Sequence, residues 1–165
     1  MGIKRKNMAR LKQKYHSTGF FGIGVLHAKT GVNIGTLWRT AHILGASFIF
    51  TIDKKYKRQP GDVTNAWSQI PLYHYNTFDE FYNALPYSTQ LIGVELTADA
   101  IPIRDFPHPK RAVYLLGSES TGLSGEALQA CHQKISLPGK YSLNVAVAGS
   151  IVIYDRINKQ PPHQG

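Results

Sequence analysis

A single cysteine, Cys131, stands in 165 residues, so an internal disulfide is unavailable and a disulfide-stapled secreted scaffold is excluded. No apolar run approaches the roughly 18 residues of a membrane span. The densest stretch, Val145 to Tyr154, is too short. A basic-then-apolar leader ending in a small-residue cleavage site is also missing, and a soluble, cytoplasmic protein is expected. The phosphate-cradling loop that ends in Gly-Lys-Ser or Gly-Lys-Thr is absent, which argues against nucleoside triphosphate hydrolysis. Gly22 and Gly24 begin a dinucleotide-binding fingerprint, but its third glycine falls on His27 and the pair reads as preceding the first strand. The seven histidines, among them His27, His42, His74, His108 and His132, are scattered without ligand spacing, so no metal is expected.

Carboxylates are scarce as well, 10 against 19 lysines and arginines, for a net charge of +9. The excess is concentrated. Lys4, Arg5, Lys6, Arg10, Lys12 and Lys14 lie in the first sixteen residues without one acidic partner, and Lys54, Lys55, Lys57 and Arg58 cluster around Tyr56. Cations near phosphates displace condensed counterions, so both clusters are candidate RNA contacts, with salt-sensitive, largely sequence-independent affinity. Residues 1–18 read as a basic extension, 19–158 as one domain and 159–165 as a tail.

The pattern along the domain alternates between strand and helix. Ile23–His27, Ser47–Ile52, Leu91–Glu95, Ala112–Leu116 and Lys134–Leu137 read as buried strands. Asn33 is placed to cap a helix that carries Ile34, Leu37, Trp38, Ala41 and Leu44 on one face. Thr77 and Glu80 have capping-box spacing for a helix through Leu85, Ser124 caps one to about His132, and Leu143–Asn158 closes the chain. The segment from Asp53 to Val63 and the connection holding Pro102, Pro107 and Pro109 read as loops. The fold class is α/β, a mostly parallel sheet with helices on both faces.

Ligands in such sheets bind beyond the carboxyl ends of the strands. Three segments with chemistry fall there. Asn33 to Arg39 offers an amide and a guanidinium. Leu116 to Leu123 leaves its strand through Gly117, where the backbone can approach a ligand, and turns again at Gly122. Leu137 to Asn144 bends at Pro138 and Gly139, and its Ser142 and Asn144 need polar partners if buried.

In order and wording these segments resemble the TrmH-like (SpoU) family of SPOUT RNA ribose methyltransferases. Asn33-x-Gly35-x-x-x-Arg39 is similar to the family's first motif, Gly117-Ser118-Glu119-x-x-Gly122-Leu123 to its second, and Leu137-Pro138 followed by Ser142-Leu143-Asn144 to its third. The similarity runs from about Ile23 to Tyr154. It implies an α/β-knot with a C-terminal deep trefoil knot, a homodimer, and S-adenosyl-L-methionine bound by Val94, Glu95, Gly117, Glu119, Ile135, Leu137, Ser142, Leu143 and Asn144. It also implies methyl transfer to a ribose 2′-hydroxyl of RNA, with tRNA expected over rRNA because so small a domain lacks a large rRNA-binding module.

Arg39 and Asn33 are the catalytic residues the resemblance implies. An arginine keeps its proton in nearly every protein environment. Either its surroundings depress its pKa strongly, or it orients a phosphate and stabilises developing alkoxide while the proton leaves elsewhere. Asn33 would position Arg39 or the ribose, and Glu119 would organise its loop. The sequence departs from the commoner family wording at Thr36 and Ala146, both expected near the pocket. A catalytically silent RNA-binding protein or assembly factor with the same fold is the competing reading, and base methylation is disfavoured by the Arg39 and Asn33 pair.

Overall fold

The computed structural model describes residues 19–29, 31–57 and 69–159. The candidate RNA contacts Lys4, Arg5, Lys6, Arg10, Lys12, Lys14 and Arg58, and the tail beyond residue 159, lie outside the described residues. Seven strands form one sheet: β1 (Phe20–Leu26), β2 (Phe48–Ile52), β3 (Leu72–Tyr75), β4 (Gln90–Val94), β5 (Ile101–Pro102), β6 (Arg111–Gly117) and β7 (Gln133–Ser136). Their order across the sheet is β3-β2-β1-β6-β4-β7-β5, and every recorded pairing is parallel.

Among the described residues four α-helices cover the sheet: α1 (Gly31–Ile43), α2 (Phe78–Asn83), α3 (Gly125–Ala130) and α4 (Val145–Lys159). Alternation along the strands sends side chains to two cores. Phe21, Ile23, Tyr114 and Leu116 meet Ile34, Leu37 and Ala41 of α1 and Val152 and Ile153 of α4 on one face. Phe50, Leu91, Val113 and Leu115 meet Phe78 and Phe81 of α2 and Ala127 of α3 on the other. Among the described residues no helix is long and apolar enough to cross a membrane.

Several expectations need correction. Gly22 and Gly24 lie inside β1, not before it. Their missing side chains make room for the neighbouring strand, since a Cβ would stand 2.3 Å from the Phe48 ring at Gly22 and 2.3 Å from the Phe50 carbonyl at Gly24. Asn33 does not cap α1 but is its third residue. The outer strands β3 and β5 were not expected, and Lys159, assigned to a tail, is the last residue of α4. The Thr77 hydroxyl does cap α2, accepting from the Glu80 amide at 3.2 Å, while Glu80 returns its carboxylate to the Asn76 amide at 2.9 Å, one residue upstream of a strict capping box.

The amino edge of the sheet is closed by a buried polar chain that no sequence pattern announced. Arg156, fully buried on α4, donates to the carbonyls of Pro109 at 2.6 Å and Lys110 at 2.9 Å and to the Tyr114 hydroxyl at 3.1 Å. The His108 Nδ1 lies 2.6 Å from that hydroxyl and its Nε2 2.7 Å from Asp155 Oδ2, which Lys159 also reaches at 2.8 Å. A carboxylate only accepts, so Nε2 carries the proton, Nδ1 accepts from Tyr114, and the neutral ring satisfies every partner. Burial pushes the His108 pKa below its ordinary value of 6.5, outweighing the pull of Asp155, and raises that of Tyr114 to about 12.

The unfolded chain therefore binds a proton that the folded chain resists, so stability is full above pH 6.5 and declines as pH falls through the interval below it. Thermal midpoints measured from pH 7.5 to 5.5 should fall, and the His108→Gln variant, less stable at neutral pH, should show a shallower decline. An identical slope in the variant would remove His108 as the cause.

Candidate active site

The parallel registers level the strand ends. Leu26 pairs with both Ile52 and Gly117, and Val94 with both Leu116 and Ile135, so the loops that follow emerge side by side. Between three of them lies a cavity of about 360 Å³. Val94, Glu95 and Leu96 form one wall, Leu116 to Glu119 with Gly122 a second, and Leu137 to Leu143 a third, with Val145 and Ala148 of α4 behind.

Glu119 joins the three sequence motifs. Its Oε1 accepts from the Asn33 amide at 2.7 Å, the Asn144 amide at 3.4 Å and the backbone N–H of Val145 at 3.4 Å. The Asn144 amide also donates to Asn33 Oδ1 at 2.9 Å, closing a triangle. Asn144 Oδ1 caps α4 by accepting from Ala146 N at 2.9 Å and Val147 N at 3.3 Å. A carboxylate beside the first turn of this helix is also favoured by the helix dipole, by about 0.3–1 kcal/mol.

Glu95 performs a second tie. Its Oε2 accepts from Leu123 N at 2.9 Å and its Oε1 from Leu96 N at 3.0 Å, so one side chain holds the β6 loop against the end of β4. Ser118 tightens that loop, its hydroxyl 2.6 Å from Thr121 Oγ1 and its carbonyl accepting from Gly122 N at 2.9 Å. Gly117 has to be glycine for this closure, because a Cβ there would stand 2.2 Å from the Gly122 carbonyl carbon.

Of the residues expected to hold a cofactor, Val94, Glu95, Gly117, Glu119, Leu137, Ser142 and Leu143 line the cavity. Ile135 does not; it is fully buried in β7 and supports the floor. Asn144 faces the groove between α1 and α4. Thr36 and Ala146, expected near the pocket, lie in the same groove instead. Asn33 has both ends of its amide engaged by Glu119 and Asn144, so it braces the loops and does not reach for Arg39. Arg39 is exposed on α1 and outside the cavity lining.

Lys54, Lys55 and Lys57 are exposed, on a segment anchored where Tyr56 packs edge-on against Trp38 at 5.9 Å between centroids. Leu96 and Tyr141, 76% and 88% exposed at the cavity rim, were missed because neither belongs to a polar motif. Cys131 packs against Gly93, and burial pushes its thiol up to about 11, so it offers no thiolate nucleophile near neutral pH. Among the described residues, no three His, Cys, Asp or Glu side chains gather to hold a metal.

A parallel sheet whose carboxyl edge carries a cavity walled by three interlocked loops defines a ligand-binding α/β domain of the class that works at strand tips. The chain belongs to the SpoU rRNA Methylase family, which it matches over residues 23–154. It is 25% identical over 130 residues to the tRNA (guanosine(18)-2′-O)-methyltransferase of Escherichia coli K12, covering 74% of this chain and 56% of that protein. The chain thus spans about half the length of the curated relative it matches. Its fold is shared with the A. aeolicus TrmH/SpoU tRNA modifying enzyme, at a TM-score of 0.77 and 20% identity over 99% of this chain and 90% of that one. It is shared also with the SpoU methyltransferase AviRb from Streptomyces viridochromogenes in complex with AdoMet, at 0.75 and 24% over 85% and 60%.

If the Glu119 triangle holds the loops together, its members are energetically coupled. Asn33→Ala and Glu119→Ala should each lower stability by about 1 kcal/mol, and the double variant should lose clearly less than the sum, by denaturant titration. Strict additivity would mean that the contacts contribute independently.

Proposed function

We propose that the chain is an S-adenosyl-L-methionine-dependent methyltransferase that acts on the ribose 2′-hydroxyl of RNA, tRNA in preference to rRNA, as a cytoplasmic homodimer. The observation that carries this reading is the convergence of Asn33, Glu119 and Asn144, each from a different motif, in one hydrogen-bonded triangle whose Glu119 also lines the cavity. The activity of the tRNA methyltransferase relative and the AdoMet bound by the structural neighbour support it.

The cavity fits the cofactor. Leu116, Leu137, Leu143 and Val145 supply apolar surface, Ser142 and backbone groups supply polar contacts, and Gly117 lets the Gly122–Leu123 backbone close against it and so sets the shape of that wall. When bound, the cofactor supplies a methyl group on a sulfonium, a carbon already attached to a good leaving group. The protein's task is then to align the hydroxyl with that carbon and to stabilise charge as the proton leaves. Arg39, a permanent cation, is suited to hold an RNA phosphate and stabilise the developing alkoxide while the proton passes to solvent.

Because Arg39 stands outside its own cavity, we assign it to the cavity of the partner protomer. An apolar stripe on α4, with Val147, Ile151 and Tyr154 exposed at 48%, 37% and 65%, flanks the groove that holds Asn33 and Asn144 and is where the second copy would sit. The C-terminal trefoil knot belongs to the same proposal. It is supported by a strand order in which β7 enters between β4 and β5 while the loop after β7 shares a cavity with those after β4 and β6. Lys54, Lys55 and Lys57, with the basic residues of the first sixteen, would contact RNA.

Arg39→Ala should lower methyl transfer to RNA roughly a hundredfold or more while cofactor affinity stays within a few-fold. Gly117→Ala should lose cofactor binding itself. Calorimetry with the cofactor and mass mapping of the methylated nucleotide check both. A folded wild-type chain that binds RNA but no cofactor would make it a silent RNA-binding member of the fold.

A further inference from the structure

A second cleft, of about 400 Å³, opens on the far side of the loop that walls the cofactor cavity. His27, Lys29, Asp53 and Lys54 line one side, and Ser120, Thr121 and Ser124 the other. Ser118 and Gly122 line both cavities, so the two spaces are one loop apart.

The backbone here is strained. His27 and Asp53 directly follow Leu26 and Ile52, which pair in register at the ends of β1 and β2. Both are left-handed, at φ of 57° and 75°. Non-glycine residues in this region cost about 1 kcal/mol or more each and persist where the surroundings hold them. Backbone bonds do hold them, from His27 N to Ile52 O at 3.1 Å and from Asp53 N to Tyr75 O at 2.9 Å. Neither residue contributes to a core, their side chains being 44% and 50% exposed. The result of the strain is that His27 Nδ1 and Asp53 Oδ2 meet at 2.7 Å between two lysines.

The carboxylate accepts, so Nδ1 bears the proton, and in the neutral tautomer that this leaves Nε2 is an acceptor. An acceptor of fixed orientation beside two cations matches a ribose hydroxyl next to a phosphodiester. We propose that this cleft seats a ribose-phosphate unit of the RNA strand flanking the nucleotide to be methylated, with Lys29 and Lys54 on the phosphate and His27 Nε2 accepting from the 2′-hydroxyl. The inference rests on the RNA methyltransferase reading and adds to it a site that distinguishes RNA from DNA. Lys54 continues into a neighbouring concavity lined by Lys55, Tyr56 and Lys57, giving the strand a cationic path away from the cavity.

The test uses the full chain, a fluorescent 20-nucleotide oligouridylate and its deoxy counterpart, with anisotropy titrations at several salt concentrations. The wild type should bind the RNA probe roughly fivefold tighter than the DNA probe, the worth of one hydrogen bond. His27→Asn and Asp53→Asn keep residues that tolerate the left-handed backbone, so both should fold, as unchanged thermal midpoints will verify. His27→Asn should erase the preference for RNA. Lys29→Ala and Lys54→Ala should weaken both probes alike and reduce the salt slope by about one each. An RNA preference that survives His27→Asn, or salt slopes unmoved by the lysine variants, would overturn the assignment. Methyl transfer to total tRNA by the wild type, measured in parallel, separates the two readings. If transfer occurs and the variants behave as wild type, only the cleft is misassigned. If the wild type binds neither cofactor nor RNA, both readings fall.

Discussion

One carboxylate oxygen, Glu119 Oε1, takes hydrogen bonds from Asn33, Asn144 and the Val145 backbone, and the candidate site has no shape without it. The three loops emerge from strands that β-pairing alone would leave as separate tips. Glu119 ties the loop after β6 to the first turn of α1 and the start of α4, and Glu95 ties the same loop to β4. Each bond taken singly contributes about 1 kcal/mol. Their shared acceptor makes them one unit, so the cavity is held or lost as a whole.

The opposite end of the molecule is held with the same economy. Arg156 and Lys159 on the last turns of α4 bind carbonyls of the segment before β6, and His108 links that segment to Asp155. Helix α4 is thus fixed at its first residues by the loop network and at its last by the buried polar chain, with Val152 and Ile153 packed on the sheet between. A rigid element spanning both edges is what a precise cavity requires.

Four of the five inner strands were legible because they are covered on both faces and read as nearly continuous apolar runs, as Phe48–Ile52 does with all five residues buried, whereas β7 buries only Ile135. The two unread strands are the sheet's two edges. Leu72–Tyr75 mixes exposed and half-buried positions, and Ile101–Pro102 is two residues long with a proline, tolerable only where no inner neighbour needs its N–H. Seven of the nine expected cofactor residues line the cavity because the motifs name loop positions directly. Ile135 failed as a lining residue because strand alternation turns it into the core. The partners of Asn33 were not legible because they lie 86 and 111 residues away, beyond the reach of any local pattern. The His108 chain was invisible for the same reason.

The bond between Asn33 and Asn144, spanning 111 positions, has a consequence for biosynthesis. Contacts so distant form late, after the entropy of closing the intervening chain has been met. A ribosome-bound chain that has not yet released α4 lacks Val145 and Ala148, which back the cavity, and Asn144, which completes the Glu119 triangle. The cavity is therefore complete only when synthesis has passed nearly the full domain, and a partial chain would present neither its back nor the Glu119 triangle.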